Sequence, residues 1–374
     1  MITGDRMISL ASYMPARIVC GKNCVRENAS LLASLGKKCL IVTGGSGAEK
    51  SGALADCMAA LESVGVAYER YGKIEPNPTA ESCLEAGALA RETGADFIIG
   101  VGGGSAQDAA KAVAIFAANP AMTVAEIYTR TIPAKRLPVA LIGTTAGTGS
   151  EVTGVSVLTG GATRRKKSIS GPDCYAAVSF CDYRYTLSVP FDTTVSTALD
   201  AYCHAVEAYL ASSCNDLVAL YALKAVGLLC GFVGAPEETA LTEATREALY
   251  IGSLYAGLAI NVAGTDFPHT VGYYLTETYG VPHGKACAVF MPVLIERAKK
   301  YCPEKLGAIE EITGCEATEF AMKIKRAAAV DVAIGREEAE AAAQRWSAGV
   351  KNFDRSPGGF TVEDAVSALV AISN

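Results

Sequence analysis

Three near-continuous apolar runs, each running into glycines, constrain the fold of the first half of this chain most strongly. They are KKCLIVTGG (37–45), ADFIIGVGGGS (95–105) and LPVALIGTTAGTGSE (137–151). Segments with apolar residues at helical spacing separate them, such as SGALADCMAALESVG and AQDAAKAVAIFAAN. Apolar strands that alternate with helices are typical of a parallel sheet covered on both faces, because both sides of each strand are then buried. The first half is therefore predicted to be an α/β unit.

The second half is predicted to be helical. From about Phe191 the helical patterns follow one another, in TTVSTALDAYCHAVEAYLASS, DLVALYALKAVGLLCGFVG, TEATREALYIGSLYAGLAINVAG and AVSALVAIS. A chain of 374 residues is long enough for two domains. We therefore expect an α/β domain over 1–189 and a helical domain over 190–374, joined near Leu187 to Pro190.

The glycine clusters indicate a nucleotide site. In a parallel sheet, the loops at the carboxyl ends of the strands form the ligand crevice. Glycine lets backbone N–H groups approach a phosphate closely, and the following helix presents its positive end. VGGGSAQDAAK fits this arrangement but matches neither GxGxxG nor the P-loop pattern. One such cluster would be an ordinary turn, whereas three together favour a nucleotide.

The three histidines of the chain, with one aspartate, form a candidate metal site. Asp200 and His204 are four residues apart in a helical pattern, so both project from one face. His269 and His283 each follow a proline and supply two further nitrogen donors if the chain folds back. One carboxylate and three imidazoles suit Fe²⁺, Zn²⁺ or a similar ion. A single histidine on a helix is usually a hydrogen-bonded core residue, so the prediction depends on the whole set.

Composition excludes several classes of protein. The net charge of −6 gives no general attraction to phosphate, so a nucleic-acid binder is not expected. We find neither a secretory signal nor an uninterrupted apolar stretch of spanning length, and expect no membrane partner. The thirteen cysteines are odd in number, scattered and without a CxxC pair, which favours reduced thiols in a cytoplasmic protein.

Several motifs, in order along the chain, resemble those of the group III, iron-dependent alcohol dehydrogenases. They are KIEPNPT, GGGSAQDAAKA, TTAGTGSEVT, DAYCHAVEAYLA and HGKACAVFMP. The resemblance implies a Rossmann-like, dinucleotide-binding α/β domain and an all-α metal-binding domain, the fold shared with dehydroquinate synthase. The metal and the nicotinamide would lie in the cleft between the domains.

The resemblance also assigns residues to roles. It makes Asp200, His204, His269 and His283 the ligands of Fe²⁺ or Zn²⁺. The residues expected to bind the cofactor lie near the pyrophosphate (Gly103, Gly104, Ser105 and Asp108), the nicotinamide (Thr144, Thr145 and Thr148) and the ribose (Asn77), with Lys166 also able to reach it. Lys166 belongs to the run RRKK (164–167), which as a charge run alone would be a solvated loop.

Two positions depart from the family pattern. Many members have a second histidine four residues after the one that matches His269, whereas this chain has Tyr273. We expect proton transfer through Tyr273, the cofactor ribose or water, with simple packing as the alternative role of the tyrosine. Many NAD-dependent members have an aspartate where this chain has Gly44, and the absence of that charge, with Ser46 and Lys50 nearby, favours NADP(H) over NAD(H).

The expected function is interconversion of a small primary alcohol and its aldehyde, with the protein acting as an aldehyde reductase. The aldehyde can bear a polar or anionic group. The alternatives are a glycerol dehydrogenase-like or other polyol dehydrogenase with the same fold, and a non-catalytic protein that binds nucleotide or metal. The resemblance further implies a homodimer or larger homo-oligomer.

Overall fold

A six-stranded parallel sheet forms the centre of the first half in the computed structural model, which describes residues 11–129, 136–160 and 165–373. The strands of this sheet are β1 Arg17–Cys20, β2 Lys38–Val42, β3 Ala67–Tyr71, β4 Phe97–Gly102, β5 Val139–Gly143 and β8 Val178–Cys181. Their order in the sheet is β1-β8-β5-β4-β2-β3, and every neighbouring pair is parallel.

Helices cover both faces of the sheet, as predicted. Ile98 on β4 packs into the apolar core on one face, and its neighbour Ile99 packs into the core on the other. Every residue of β4 and β5 is buried, which explains their continuous apolar sequences. The helices of this half are α1 Cys24–Glu27, α2 Ala29–Ala33, α3 Gly47–Lys50, α4 Ala53–Ser63, α5 Ala80–Glu92 and α6 Gly104–Ala118.

An antiparallel hairpin beside the sheet was not predicted. It consists of β6 Val155–Gly160 and β7 Arg165–Ser170. Residues 165–167 of RRKK form part of a strand paired with β6 and not a loop, although Arg165 and Lys167 are exposed as expected; Arg164 lies outside the described residues. Charged side chains and backbone pairing are compatible here because the hairpin has only two strands and most of β7 remains exposed.

The described part of the second half contains helices and no strand, which confirms the predicted fold class. The helices are α7 Phe191–Leu210, α8 Asp216–Val233, α9 Glu243–Ala263, α10 Phe267–Tyr279, α11 His283–Ala288, α12 Met291–Tyr301, α13 Leu306–Thr313, α14 Ala317–Ala328, α15 Arg336–Ala343, α16 Lys351–Arg355 and α17 Val362–Val370. Helix α7 is buried along most of its length, since only its first turns reach the surface. Helix α8 is long and apolar enough to span a membrane, as core helices of soluble proteins also can be.

A buried arginine fixes the segment between the sheet and the helices. Arg246 on α9 donates hydrogen bonds to the backbone oxygens of Thr186 and Val189 and to the hydroxyl of Thr194. These acceptors surround the predicted join near Leu187 to Pro190. The division at 189/190 itself stays a prediction, but this arginine holds the start of α7 in a defined position relative to β8.

Candidate metal and cofactor site

The four predicted metal ligands come together from three helices. Asp200 and His204 lie one turn apart on α7, His269 is in the first turn of α10, and His283 is the first residue of α11. A Cβ atom at Gly284 would clash with the backbone of α7, so glycine after His283 allows this close approach. The proline before each of the two later histidines lies at a helix start, where a missing N–H costs nothing.

The donor atoms converge on one carboxylate oxygen. Oδ1 of Asp200 lies 3.4 Å from Nε2 of His269, 3.8 Å from Nε2 of His283 and 4.0 Å from Nε2 of His204. Asp200 Oδ1 and His269 Nε2 are buried and have no hydrogen-bond partner among the described residues. Unpaired buried polar atoms are costly. Ligands about 2.0–2.2 Å from a shared ion would be spaced in this way, so the residues fit a divalent metal.

The pKa shifts of Asp200, His204 and His283 favour the binding of a cation by these residues. Burial alone would raise the pKa of Asp200, but the surrounding histidines hold it well below its ordinary value, so the carboxylate is charged. Burial lowers the pKa of both His204 and His283, which keeps these rings neutral and available as ligands. Burial also acts to lower the pKa of His269, but the nearby Cys287 and Glu207 hold it well above its ordinary value, so this ring carries a second proton that a bound cation would displace.

Glu207 supports His269 from behind and was not predicted from the sequence. Its Oε1 lies 2.6 Å from Nδ1 of His269, and its Oε2 accepts a hydrogen bond of 2.7 Å from the backbone N–H of Asp266. Glu207 is fully buried. Its position three residues after His204, on the same face of α7, was the available signal. With Nδ1 donating to this carboxylate, Nε2 of His269 is the nitrogen that faces Asp200.

Cys287 also lies at the site, although its sequence context favours a small core residue. Its Sγ is 3.8 Å from Nδ1 and 3.9 Å from Nε2 of His283, one turn earlier on α11. A donor atom from each of Asp200, His269, His283 and Cys287 falls within a group that spans no more than 4.8 Å. The sulfur is therefore a further candidate donor beside the four predicted ligands.

Tyr273 lies against His283, and Lys166 lies over the ring of Tyr273. The ring of Tyr273 stacks on the imidazole, with centroids 5.0 Å apart and planes 14° apart. Nζ of Lys166 lies 5.2 Å from the centre of the Tyr273 ring. Burial raises the pKa of Tyr273 and lowers that of Lys166. The backbone N–H of Lys166 donates to Glu277 on α10, which connects the β6–β7 hairpin to the helix that carries His269.

The predicted pyrophosphate and nicotinamide residues meet at the carboxyl ends of β4 and β5. A Cβ atom at Gly103 would lie 3.0 Å from the hydroxyl of Thr145, and one at Gly104 would lie 2.5 Å from Cγ2 of Thr148. The two loops therefore pack directly together. Thr144 follows β5 and donates its N–H to the oxygen of Gly102 at the end of β4. A Cβ atom at Gly104 would overlap Thr148, so glycine at this position permits the close approach of the loops.

Asn77 connects this loop pair to the hairpin. It has a left-handed backbone, with a φ of 58°. Its N–H donates to the hydroxyl of Ser105, and its carbonyl oxygen accepts a hydrogen bond of 2.9 Å from the hydroxyl of Thr159. Asparagine tolerates this conformation better than most residues. The predicted ribose residue and the first turn of α6 are thereby held next to each other.

Asp108 faces the protein interior. Its carboxylate accepts hydrogen bonds from the hydroxyl of Ser150, at 2.6 Å, and from the N–H of Val157, at 2.9 Å. Nζ of Lys111 lies 3.8 Å from the same carboxylate. Asp108 thus joins α6 to the segment that follows β5 and to β6, and its predicted role near the pyrophosphate stays a prediction.

Gly44 and Ser46 lie at the exit of β2, next to the glycine loop of β4. A Cβ atom at Gly44 would clash with the backbone oxygen of Ile74, so this backbone has no room for the aspartate of many relatives. Ser46 precedes α3 and makes no side-chain cap there. Gly44 and Ser46 lie at the edge of the expected cofactor crevice and are not among the residues that surround Asp200.

Comparison with known proteins agrees with this arrangement. Residues 15–183 match the family described as iron-containing alcohol dehydrogenase, and residues 194–344 match the C-terminal domain of the Fe-containing alcohol dehydrogenase family. A probable alcohol dehydrogenase, EutG, of Escherichia coli is 31% identical over 79% of this chain and 75% of its own. The sulfoacetaldehyde reductase of Bilophila wadsworthia is 28% identical over 97% of this chain and 99% of its own.

A solved structure gives the same result for the fold. The iron-containing alcohol dehydrogenase of Thermotoga maritima superposes with a TM-score of 0.89, at 32% identity, over 97% of this chain and 99% of that one. The matches extend over both the sheet and the helical half. They include the glycine loops, Asp200 and the three histidines. The chain therefore belongs to the iron-containing alcohol dehydrogenase family.

Proposed function

We propose that the protein is a metal-dependent NAD(P)(H) oxidoreductase that reduces a small aldehyde to its primary alcohol. The observation that carries the proposal is the unpaired carboxylate oxygen of Asp200, which three histidines surround at the edge of a dinucleotide-type crevice. A divalent ion held by Asp200, His204, His269 and His283 would act as a Lewis acid on the carbonyl oxygen. The nicotinamide would supply the hydride.

The protein residues would position the reactants and handle the proton. Glu207 would orient His269, and the paired glycine and threonine loops would hold the dinucleotide. Tyr273 is protonated at neutral pH, as an ordinary tyrosine is, and burial raises its pKa further. It lies against a proposed ligand, so its hydroxyl is our candidate proton donor to the nascent alkoxide.

We further propose NADP(H) as the preferred cofactor and a small aldehyde as the substrate. Support for the first is that the backbone at Gly44 excludes the acidic side chain that would repel a 2′-phosphate. Support for the second comes from relatives that act on small alcohols or aldehydes, including a sulfoacetaldehyde reductase. A cytoplasmic homo-oligomer is the expected form of the protein.

An anaerobic activity screen tests the proposal. Metal-free enzyme would receive Fe²⁺ or Zn²⁺ and then short aldehydes with NADPH or NADH, while the loss of reduced-nicotinamide absorbance is followed. We expect turnover that requires the metal and is abolished by His283→Ala, whereas a Lys351→Met variant, changed at an exposed position, serves as a control. Absence of both metal binding and turnover across the panel would favour the non-catalytic alternative.

A further inference from the structure

A charged pair, Arg70 with Glu49, lies beside the carboxyl end of β2. Arg70 on β3 donates from Nε to the hydroxyl of Thr43, at 3.1 Å, and its Nη2 contacts a carboxylate oxygen of Glu49 on α3. Thr43 is fully buried and immediately precedes Gly44. The side chains of Arg70 and Glu49 are 38% and 42% exposed, so a ligand in the crevice can reach both.

The pair lies where dinucleotide-binding folds bind the ribose attached to adenine. β2 lies between β3 and β4, and the glycine loop that follows β4 is the expected pyrophosphate site. In dinucleotide-binding folds the ribose attached to adenine lies at the exit of the neighbouring strand, where an acidic residue binds its 2′-hydroxyl or an arginine accommodates a 2′-phosphate. Gly44 has no room for an acidic side chain, whereas a Cβ at Gly45 or Gly47 would meet nothing within 4 Å. The exit of β2 is therefore open, and Arg70 and Glu49 lie beside it.

We propose that Arg70 binds the 2′-phosphate of NADP(H) and that Glu49 competes with this phosphate for the guanidinium, so that the pair sets the cofactor preference. The inference rests on the proposed function, in which the crevice binds a nicotinamide dinucleotide. An exposed ion pair is weak, whereas a guanidinium binds a phosphate through two parallel hydrogen bonds. Thr43 holds Nε in place, so the fork of Arg70 is oriented before the cofactor arrives.

Opposite effects of two substitutions test this inference. Arg70→Met should weaken the binding of 2′,5′-ADP by about ten- to a hundredfold, as expected for the loss of a charge-assisted hydrogen bond, and leave 5′-ADP binding unchanged. Glu49→Gln frees the guanidinium and should strengthen 2′,5′-ADP binding. Unfolding cannot explain a gain of affinity, so the second variant protects the test against a damaged fold. Calorimetry on the metal-loaded protein measures both affinities.

Arg26→Met is the control, because Arg26 forms an arginine–carboxylate pair with Asp56 on α4 and contacts neither Thr43 nor Glu49 in the described structure. Unchanged discrimination between 2′,5′-ADP and 5′-ADP in both Arg70→Met and Glu49→Gln would overturn the inference. The ratio of kcat/KM for NADPH and NADH should move in the same directions. If the wild type prefers NADH but the two variants still shift this ratio oppositely, the inference stands and the proposed NADP(H) preference fails.

Discussion

At the scale of single residues, Glu207 shows how a buried side chain can control a ligand that it supports. Its carboxylate lies 2.6 Å from His269 and has no exposure to solvent. Glu207→Gln would replace a charged acceptor with an amide and weaken the constraint on the imidazole. We expect metal affinity to fall about 10- to 100-fold, as is usual for such supporting partners. Titration of metal-free protein against a chelator of known affinity measures this, with exposed Glu296→Gln as control; equal affinities would contradict the assignment.

The candidate metal ligands were predictable from the sequence, whereas two of their neighbours were not. The sequence has only three histidines, which made the candidate ligands conspicuous, and the spacing of Asp200 and His204 placed both on one helix face. Glu207 and Cys287 were missed because glutamate on a helix is usually exposed and cysteine is usually a small core residue. Only the packing of α10 and α11 against α7 brings these two side chains to the histidines.

A substitution at Tyr273 distinguishes a packing role of this side chain from a role in proton transfer. Its ring stacks on His283, so Tyr273→Phe keeps the stacking and removes only the hydroxyl. If the hydroxyl donates the proton, turnover should fall by about 10²-fold or more, with metal affinity unchanged. The pH dependence of kcat for both proteins, measured at saturating cofactor, checks this. An unaltered rate and pH profile would leave Tyr273 with a packing role alone.

Asp266 should make stability depend on pH. Burial and the nearby Glu207 raise its pKa to about 8, compared with about 3.9 in an unfolded chain. The folded state therefore retains a proton that the unfolded state releases, so the stabilisation is complete below about pH 4 and is lost progressively as pH rises to about 8. Relative to Asp266→Asn, the wild type should lose up to about 1.4 kcal/mol of unfolding free energy per pH unit across this window. Urea unfolding at several pH values tests this, and parallel curves for the two proteins would refute it.

At the scale of elements, Lys111 on α6 connects this helix to the segment between β5 and β6 and to the first residue of β6. The ammonium is fully buried and donates to the backbone oxygens of Ser150, Thr153 and Val155. Lys111→Met would leave these acceptors and the carboxylate of Asp108 without their cation. Loss of one partner of a buried charged pair costs about 3–5 kcal/mol, so we expect a decrease of this size in the free energy of unfolding. Denaturant unfolding measures it, and the exposed Lys351→Met should be close to wild type.

The elements differ in how far their sequences reveal them. Strands β2, β4 and β5 have apolar residues on both faces, which is a clear pattern for central strands of a parallel sheet. Strands β1 and β8 have four residues each, too few for a period to emerge. In β7 only Ile169 is buried, and the charged residues before it hide a strand that becomes evident only through its pairing with β6. Short or solvent-facing strands therefore depend on tertiary contacts for their recognition.

At the scale of the whole molecule, the two halves meet through buried polar groups. The hydroxyl of Tyr250 on α9 lies 3.3 Å from the carboxylate of Glu151, next to the end of β5. Glu151 also accepts a hydrogen bond of 2.9 Å from Gln107 on α6. Composition and periodicity predicted the two kinds of structure but could not predict this contact, because it depends on how the helices pack onto the sheet. Helix α9 of the second half therefore packs against the carboxyl end of β5.

Metal binding should therefore stabilise the helical half as a unit. The proposed ligands come from α7, α10 and α11, so one ion would connect three helices whose Asp200 and His269 otherwise have unpaired buried atoms. At a free ion concentration a hundredfold above Kd, the gain is about 2.7 kcal/mol, provided that the unfolded chain does not bind the ion. We expect a chelator to lower Tm and added Fe²⁺ or Zn²⁺ to restore it, as followed by calorimetry without any substrate. His283→Ala should show a much smaller metal-dependent shift, whereas the exposed Lys351→Met should respond like the wild type. Equal shifts in all three proteins would mean that the ion binds elsewhere.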